Sequence, residues 1–438
     1  MTTITLATES DQCIHLLNRT SFGVDQQGLS SCLKDKTYEV TVSRLLSLSA
    51  METEEELLPF AKKIIKPNKK HKDLNAEERE AFRENRRREK SAIKKWWMHK
   101  LIETNAPFEE KMVLFWHNHF TSSLKKVPQI ALMYRQNQLF RRYALGNFAK
   151  MLHSIVEDPA MLIYLDNRAN RKKRPNENFA RELLELFTLG EGHYSEQDIK
   201  ELARALTGYS IDKHMSFRFK KKLHDSGEKS IFGHRGDFNA HQAVDIILEQ
   251  NATAEFIVGK LWKAFVSEES DDMEIKRLAQ YFRDQKYELK PIINAILTSK
   301  AFMELSNRGT LIKSPIELIV GTLRTFNTTA FDLKIALQYS RRLGQDLLNP
   351  PNVKGWSGGK QWINANTLLI RKEFISRLTR AKGKYGLDYS IFKGLLATKS
   401  PEESAANILL PITVYLTPAK DFDATLQIIL QHPLYQLK

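Results

Sequence analysis

The sequence predicts a mostly α-helical protein, with one large multi-helix body and a small β-hairpin insertion near residues 212–236. Three observations support this fold class. Apolar residues recur at every third or fourth position through most of the chain, as on the buried face of a helix. Most of these periodic segments end at Gly, Pro or Asn, which stop helices. Only "SFRFK", at 216–220, alternates apolar and polar residues as a strand does.

The helices are predicted from this periodicity together with residues that start and stop helices. Ser195 and Asp198 form a capping-box-like pair at the start of one helix, and Gly208 ends it. Pro175 suits the first turn of the preceding helix, and Gly190 suits its end. The predicted helices span residues 10–19, 37–49, 53–65, 76–103, 107–118, 128–153, 176–189, 195–207, 239–249, 252–265, 271–284, 288–298, 314–326, 331–342, 362–380, 387–396, 401–409 and 420–430.

Two stretches depart from the helical pattern. The hairpin is predicted within "DKHMSFRFKKKLHDSGEKSIFGHRG" at 212–236, where "SFRFK" has a strand pattern and "DSGEK" is rich in turn residues. The second stretch, "NPPNVKGWSGGKQW" at 349–362, contains too many Gly and Pro residues for regular structure, yet it carries two tryptophans. We therefore predict an irregular loop there.

Four parts are predicted along the chain. N-terminal helices occupy residues 1–61, and a basic helical segment follows at 62–103. A central helical core at 104–300 carries most of the motifs described below. The C-terminal helical portion, 301–438, contains the Trp/Gly loop 349–362.

The charge of the chain is concentrated in one segment. The 438 residues are 42% hydrophobic and 27% charged, an ordinary globular composition, but the formal net charge is +15. Residues 62–100 hold 15 Lys/Arg and 6 Asp/Glu. Because Glu and Arg alternate there at helical spacings, a solvated helix with ion pairs is the favoured interpretation. A helix that contacts phosphate groups and a helix that docks a partner are the alternatives.

The N-terminus and the cysteines bear on location. The first residues lack the basic and continuous apolar regions of a signal peptide, and no window approaches about 18 uninterrupted apolar residues. A soluble, cytoplasmic protein without a membrane span is therefore expected. Cys13 and Cys32 have no CxxC spacing, so we expect them to be reduced and half-buried.

Six motifs follow one another along nearly the whole chain: "HLLNRTSFG" at 15–23, "FWHNHFTSS", "EDPAMLIYLDN", "PNENFARELLELFTLGEGHYSEQDIKELARALTGY", "HDSGEK" and "PPNVKGWSGG". In this order and spacing they resemble the bacterial family known as domain of unknown function 1800 (DUF1800). The resemblance implies a bacterial protein of a family whose activity is not established. It also implies relatives that are often exported and often encoded beside a sulfatase-like protein, which is the expected partner. This chain differs from the exported relatives in showing no signal peptide, and its basic segment is more elaborate.

Two histidines stand one residue apart in "FWHNHF" at 115–120. In a continuous helix, His117 and His119 would point about 200° apart around the axis, so they would not bind one metal ion. They would converge only if the helix ended near Asn118. Both are therefore either structural residues near a helix C-terminus or part of a functional pocket.

The helix in "PNENFAREL" carries an acidic stripe. Its spacing pairs Glu177 with Arg181 and places Glu182 beside Glu185. One interpretation is an ion-pair ladder on the surface. A second is a buried Glu/Arg/His network in which Glu177 or Glu182 acts as a general acid, a general base or a metal ligand. A third is a network that only holds two helices together.

Four of the twelve histidines fall within residues 214–241. Imidazole and carboxylate groups suit Zn, Mn or Fe, so this region is one place for a divalent metal. However, no HExxH or CxxC spacing is present, and a solvated hairpin with one positioning histidine is favoured. The resemblance gives that role to His224, with Asp225 beside it, and both are candidates for binding substrate.

Two tryptophans in the irregular loop are further candidates for binding substrate. Trp356 and Trp362 could stack on a sugar or a base, and the glycines between them allow a close approach of the backbone. The alternative is a latch that packs the loop onto the helical body. The loop lacks the GxxxxGK[ST] pattern, so it is not a phosphate-binding P-loop.

Three functional hypotheses follow. The first is a hydrolase-like enzyme, with or without a divalent metal. The second is a non-catalytic helical adaptor for a neighbour-encoded partner. The third, which is less favoured, is a basic nucleic-acid-binding protein. In the first hypothesis the catalytic residues are His117, His119, Glu177, Arg181 and Glu182.

Overall fold

Helices dominate the structure. The computed structural model describes residues 8–49, 74–328, 330–381, 386–392, 396, 400–414 and 419–438. Within these residues the strands form only two small antiparallel sheets of two strands each. The predicted fold class, mostly α with a small β insertion, is therefore confirmed. None of the helices in these ranges is both long enough and apolar enough to cross a bilayer.

The first half of the described chain is built from ten helices. The longest of them, α4, begins with a capping box between Asn75 and Glu78, and its predicted range of 76–103 is confirmed. The capping box predicted for α10 is also present. The helices are α1 (Glu9–Thr20), α2 (Gln26–Lys34), α3 (Tyr38–Ser47), α4 (Ala76–Glu103), α5 (Pro107–His119), α6 (Ile130–Tyr143), α7 (Phe148–Ile155), α8 (Pro159–Tyr164), α9 (Asn178–Glu185) and α10 (Glu196–Ala205).

The β insertion consists of two hairpins. Strand β1 (Tyr209–Ile211) pairs with β2 (Phe217–Phe219), and β3 (Lys229–Ile231) pairs with β4 (His234–Gly236). The prediction described one hairpin with "DSGEK" as its turn. Instead, "DSGEK" connects the two hairpins. The second hairpin was not predicted because three-residue strands are too short to show a clear alternation in the sequence.

The second half of the described chain is again helical. Its helices are α11 (Ala240–Glu249), α12 (Asn251–Phe265), α13 (Asp272–Asp284), α14 (Leu289–Leu297), α15 (Lys300–Met303), α16 (Pro315–Thr325), α17 (Leu333–Arg342), α18 (Ala365–Thr379), α19 (Pro401–Leu409) and α20 (Phe422–Gln431). Helix α4 packs against α16 and α17, so the basic segment contacts the C-terminal portion directly.

Distant parts of the chain are joined by buried polar contacts. The guanidinium of Arg19 donates to the carbonyls of Phe265 (3.1 Å) and Val266 (3.0 Å). At the other end, the N–H of Lys313 donates to Gln436 O and that of Lys438 donates to Leu311 O, both at 2.8 Å. The last residues therefore pack beside the start of α16.

Several predicted helix boundaries differ from the structure. The single helix predicted at 128–153 is two helices, because Asn147 caps α7 and its side chain also donates to Lys286 O. Helix α2 and the short helix α8 were not predicted, and the segment predicted at 387–396 has only a 3-10 turn at Ser390–Phe392 among its described residues. The helix predicted at 53–65 lies outside the described residues.

The two cysteines form a disulfide, so the prediction of reduced cysteines is wrong. The Asp25 side chain accepts from Gly28 N at 2.7 Å and starts α2, which folds back along α1. This turn brings the Cα atoms of Cys13 and Cys32 to 5.9 Å, within bonding range. Their sequence separation of 19 carries no sign of that turn.

Candidate functional site

Two of the quoted motifs meet where α5 ends. The side chain of Asn118 accepts a hydrogen bond from Trp356 N at 2.6 Å. Beside it, Gly355 has φ +88°, and a Cβ atom there would lie 2.6 Å from Asn118 O. Only glycine allows this close approach, so the Trp/Gly loop is fixed onto the C-terminal turn of α5.

His117 is enclosed by aromatic rings and is only 1% exposed. Its ring lies 5.2 Å from that of Trp97, 5.5 Å from that of Trp356 and 6.1 Å from that of Phe140, measured between centroids. Neither ring nitrogen has a hydrogen-bond partner among the described residues. Burial lowers the pKa of His117 to about 3, so the ring is neutral at physiological pH.

His119 faces a different part of the core, since α5 stays helical through this residue. Its Nε2 lies 3.0 Å from the carbonyl of Phe187, which can only accept, so Nε2 carries the proton. Nδ1 therefore accepts the hydrogen bond from the Lys260 ammonium at 3.0 Å. Burial and then the Lys260 charge hold the pKa of His119 well below its usual value. Both nitrogens are thus engaged in joining α5 to α12 and to the segment that follows α9.

A groove lies beside the Trp/Gly loop, and we call it the Trp-loop groove. Its volume is about 190 Å³. It is lined by Leu114 and Asn118 of α5 and by Trp356 and Trp362 of the Trp/Gly loop. The two tryptophans are 4% and 6% exposed, so the latch interpretation describes their packing better than open stacking platforms do.

The floor of the Trp-loop groove contains a buried ion cluster. Oε1 of Glu317 lies 2.9 Å from the ammonium of Lys111 and is also bound by the ammonium of Lys438. Burial raises the pKa of Glu317, but the two ammonium groups outweigh this effect and hold it below its usual value. Burial lowers the pKa of Lys111 to about 7, although Glu317 acts in the opposite direction.

Further buried cations surround this cluster. The ammonium of Lys313 donates to the carbonyl of Tyr435 at 2.9 Å, and burial lowers its pKa to about 7. Arg371 donates to Lys313 O at 2.9 Å, and burial lowers its pKa to about 10. The field of Glu317 reaches both groups. One carboxylate therefore serves several buried basic side chains.

The acidic stripe of α9 lies at the surface. Arg181 binds both carboxylate oxygens of Glu196 at 2.8 Å and contacts Glu177 at 3.4 Å. The side chains of Arg181 and Glu177 are 37% and 40% exposed. This geometry matches the surface ion-pair interpretation of the "PNENFAREL" motif.

Glu182 is the more enclosed carboxylate of this helix. It is half-buried, and burial followed by the charge of Glu185 raises its pKa, while Lys354 acts in the opposite direction. Lys354 belongs to the Trp/Gly loop, so Glu182 lies on the side of α9 nearest that loop.

His224 and Asp225 stabilise the first hairpin and its connection. The ring of His224 donates through Nδ1 to Thr207 O at 2.8 Å and lies 5.2 Å from the ring of Phe219. The carboxylate of Asp225 accepts from the Arg204 guanidinium at 2.8 Å. Both side chains therefore have partners within their own region.

The structure brings together His117, Trp356 and Trp362 but places the other candidates elsewhere. Among the described residues, no hydrogen bond or ring contact joins His117 or His119 to Glu177, Arg181, Glu182 or His224. The prediction from sequence also missed the groove floor. A signal was present, since Glu317 is the only charged residue of "PIELIVGTL", and such an isolated charge in an apolar helix needs a buried partner.

The part of the chain that the structure describes contains no group of three or more His, Cys, Asp or Glu residues arranged to hold a metal ion. Two histidines are in direct contact there, since the Nδ1 atoms of His153 and His241 lie 3.0 Å apart. Their Nε2 atoms contact Asp245 at 3.0 Å and Glu157 at 2.8 Å, respectively. The divalent metal stays a prediction.

Comparison with protein families identifies the chain. The family described as "Protein of unknown function (DUF1800)" matches residues 15–437, so the chain belongs to this family. Searches of curated proteins and of solved structures give no match.

Proposed function

We propose that this member of the DUF1800 family is a non-catalytic helical adaptor, and that its Trp-loop groove receives a carboxylate-bearing group of a partner. One observation carries the proposal. The groove floor places two buried ammonium groups, from Lys111 and Lys438, on the single carboxylate of Glu317.

The groove lining contains three lysines and two glutamates, Glu268 and Glu317, and this imbalance explains why a carboxylate would bind there. A buried ammonium group without a matching anion is costly, and burial already lowers the pKa of Lys111 to about 7. An incoming carboxylate would favour the protonated form of Lys111 and form a charge-assisted hydrogen bond with it. Binding should therefore take up a proton and weaken as the pH rises from 6 to 8.5.

The hydrolase hypothesis has less support. A general base must reach the proton that it removes, but His117 faces aromatic rings and both nitrogens of His119 are engaged. Arg181 is occupied by Glu196 at the surface. A metal-dependent hydrolase stays a prediction, and elemental analysis of untagged protein purified without chelators would test it.

The partner proposed first is the sulfatase-like protein that the family resemblance suggests. An adaptor with a groove for a carboxylate suits a partner that presents an acidic side chain. Nucleic acid is the less favoured partner. The disulfide between Cys13 and Cys32 supports an oxidising compartment over the cytoplasm.

The direct test uses a capped glutamate, N-acetyl-glutamate-N-methylamide, and the capped glutamine as its neutral match. We expect the glutamate compound alone to raise the melting temperature at pH 6, and Lys111→Met to remove the effect. Lys276→Met, which changes an exposed lysine outside the groove, is the matched control. Equal responses to both compounds, or an unchanged response in Lys111→Met, would overturn the proposal.

The adaptor role needs its own measurement. Surface plasmon resonance with the purified sulfatase-like neighbour should show binding that Lys111→Met weakens at least tenfold and Lys276→Met leaves unchanged. Absence of binding between the two full-length proteins would exclude this partner and leave the adaptor role without support.

A further inference from the structure

We infer that a second cavity, between α4 and α17, binds a compact oxyanion in the form of a phosphate or sulfate group. We call this cavity the basic cleft. It has a volume of about 310 Å³, at the lower end of the range for small-ligand sites. The inference does not depend on the Trp-loop groove, because the two cavities share no lining residue. The basic residues of the cleft are Lys90, Lys94, Lys125, Lys334 and Arg341.

The positive charge of the basic cleft is mostly uncompensated. Asp346 is the single acidic residue of the lining, and its two oxygens are bound by Lys94 at 2.5 Å and by the Asn349 amide at 3.0 Å. Among the described residues, the other four basic side chains form no ion pair. A cleft with four unpaired cations repels further cations and favours an anion with several negative oxygens.

The cations also act on one another. Lys90 is half-buried, and burial followed by the charges of Arg86 and Lys94 lowers its pKa. Like charges in a partly enclosed space disfavour the protonated form of Lys90. A bound oxyanion would reverse this effect and fix the ammonium groups around its oxygens.

The shape of the basic cleft is fixed by contacts that do not involve its cations. The N–H of Leu124 donates to Leu348 O at 3.0 Å, and the hydroxyl of Ser123 donates to the side chain of Asn349 at 2.8 Å. These bonds hold the turn that carries Lys125 against the loop that follows α17. The cations are therefore presented by a preorganised frame, which reduces the entropy lost on binding.

Chemistry favours a phosphate or sulfate group over a single carboxylate. The cations come from three segments, namely α4, the 124–125 turn and α17, whereas a carboxylate has only two oxygens. The lining also includes Ser91 and Gln338, whose side chains can donate hydrogen bonds to further oxygens. A tetrahedral oxyanion can accept from all of these directions.

The test is calorimetric titration of the full-length protein with inorganic phosphate, sulfate and pyrophosphate, at constant ionic strength set by chloride. We expect saturable binding of at least one of these anions. Lys90→Met and Arg341→Met should each weaken it at least fivefold, while the surface variant Lys276→Met, which lies outside both cavities, should leave it unchanged. Circular dichroism checks that each variant is folded, and two independent cleft variants keep the test valid if one is not.

Each outcome decides the inference. Tighter binding of phosphate than sulfate would identify a phosphate source, and the reverse would identify a sulfate source. A response no larger than that to chloride, or one unchanged in both cleft variants, would overturn the inference. Binding of duplex DNA without binding of any small anion would also overturn it, and would instead support nucleic-acid contact along α4.

Discussion

The rings of His117 and Trp356 are in contact, with centroids 5.5 Å apart, and they join two motifs from distant parts of the chain. The same junction is reinforced by the bond from Trp356 N to the Asn118 side chain. "FWHNHF" and "PPNVKGWSGG" are thus two halves of one packing unit. This relationship explains why a polar histidine is found in an aromatic cluster without any hydrogen-bond partner among the described residues.

Replacing His117 separates a packing role from a chemical one. A buried polar atom without a partner costs roughly 1–3 kcal/mol, so His117→Phe should retain the wild-type free energy of unfolding or raise it by about 1 kcal/mol. His117→Ala should lower it by about 3 kcal/mol, because it leaves a cavity. Urea denaturation at pH 7.5 measures both. Strong destabilisation by His117→Phe would show that the ring nitrogens have an essential partner.

Acid should enlarge the advantage of His117→Phe. The pKa of His117 is about 3 in the folded protein and ordinarily 6.5. As the pH falls below 6.5, the unfolded chain binds a proton that the folded chain does not, so wild-type stability declines by up to about 1.4 kcal/mol per pH unit. The Phe variant lacks this loss. Identical pH profiles from 7 to 4.5 for the two proteins would contradict the burial of a neutral His117.

The Trp/Gly loop contains two glycines that form a matched pair. Gly355→Ala places a side chain at φ +88° against Asn118, and should lower the free energy of unfolding by about 2 kcal/mol or more. Gly358 has φ −126°, and a Cβ atom added there would have no other atom within 4 Å. Gly358→Ala should therefore change the free energy of unfolding by less than about 0.5 kcal/mol. Thermal denaturation measures both. Equal effects would mean that the loop is not fixed onto α5.

The local features of the fold could be predicted from the sequence, whereas the long-range contacts could not. The bounds of α4 follow from the Asn75 cap and its Glu/Arg spacing, which depend only on neighbouring residues. The break between α6 and α7 depends on Asn147 meeting Lys286, a contact of two segments far apart in sequence. No local pattern encodes such a meeting.

In the candidate site, too, single residues could be predicted from the sequence, whereas their long-range contacts could not. The sequence identified Trp356, Trp362 and His117 as unusual, and the structure places all three around the end of α5. The sequence did not identify the ion cluster, because the partners of Glu317 come from α5 and from residue 438. Pairing of buried charges across such distances is set by the packing of helices.

The disulfide should make a measurable contribution to stability. Closing a loop of about 20 residues restricts the unfolded chain by roughly 3 kcal/mol. The double variant Cys13→Ser/Cys32→Ser should therefore lower the free energy of unfolding by about 3 kcal/mol, and dithiothreitol should do the same to the wild type. Thiol titration of the denatured, unreduced protein should detect no free thiol. Detection of two thiols would contradict the bond.

Asp158 should make the protein less stable as the pH rises. Burial raises its pKa to about 7, although hydrogen bonds from Met161 N (2.8 Å) and the Gln136 amide (2.7 Å) act in the opposite direction. Between about pH 4 and 7 the unfolded chain releases this proton while the folded chain keeps it, so folding becomes less favourable by up to roughly 4 kcal/mol. Asp158→Asn keeps an oxygen that can accept both hydrogen bonds but carries no charge.

The expected result is that the two stability profiles diverge as the pH rises. At pH 5 the Asn variant should be about as stable as the wild type, and at pH 8 it should be more stable by roughly 2 kcal/mol or more, because only the wild type must bury a carboxylate. Asp166→Asn, which removes a carboxylate whose side chain is 45% exposed, is the matched control and should follow the wild-type profile. Guanidinium denaturation at half-unit intervals from pH 5 to pH 8 measures the difference. Parallel curves for Asp158→Asn and wild type would show that Asp158 titrates normally, and hence that water reaches its carboxylate in the folded protein.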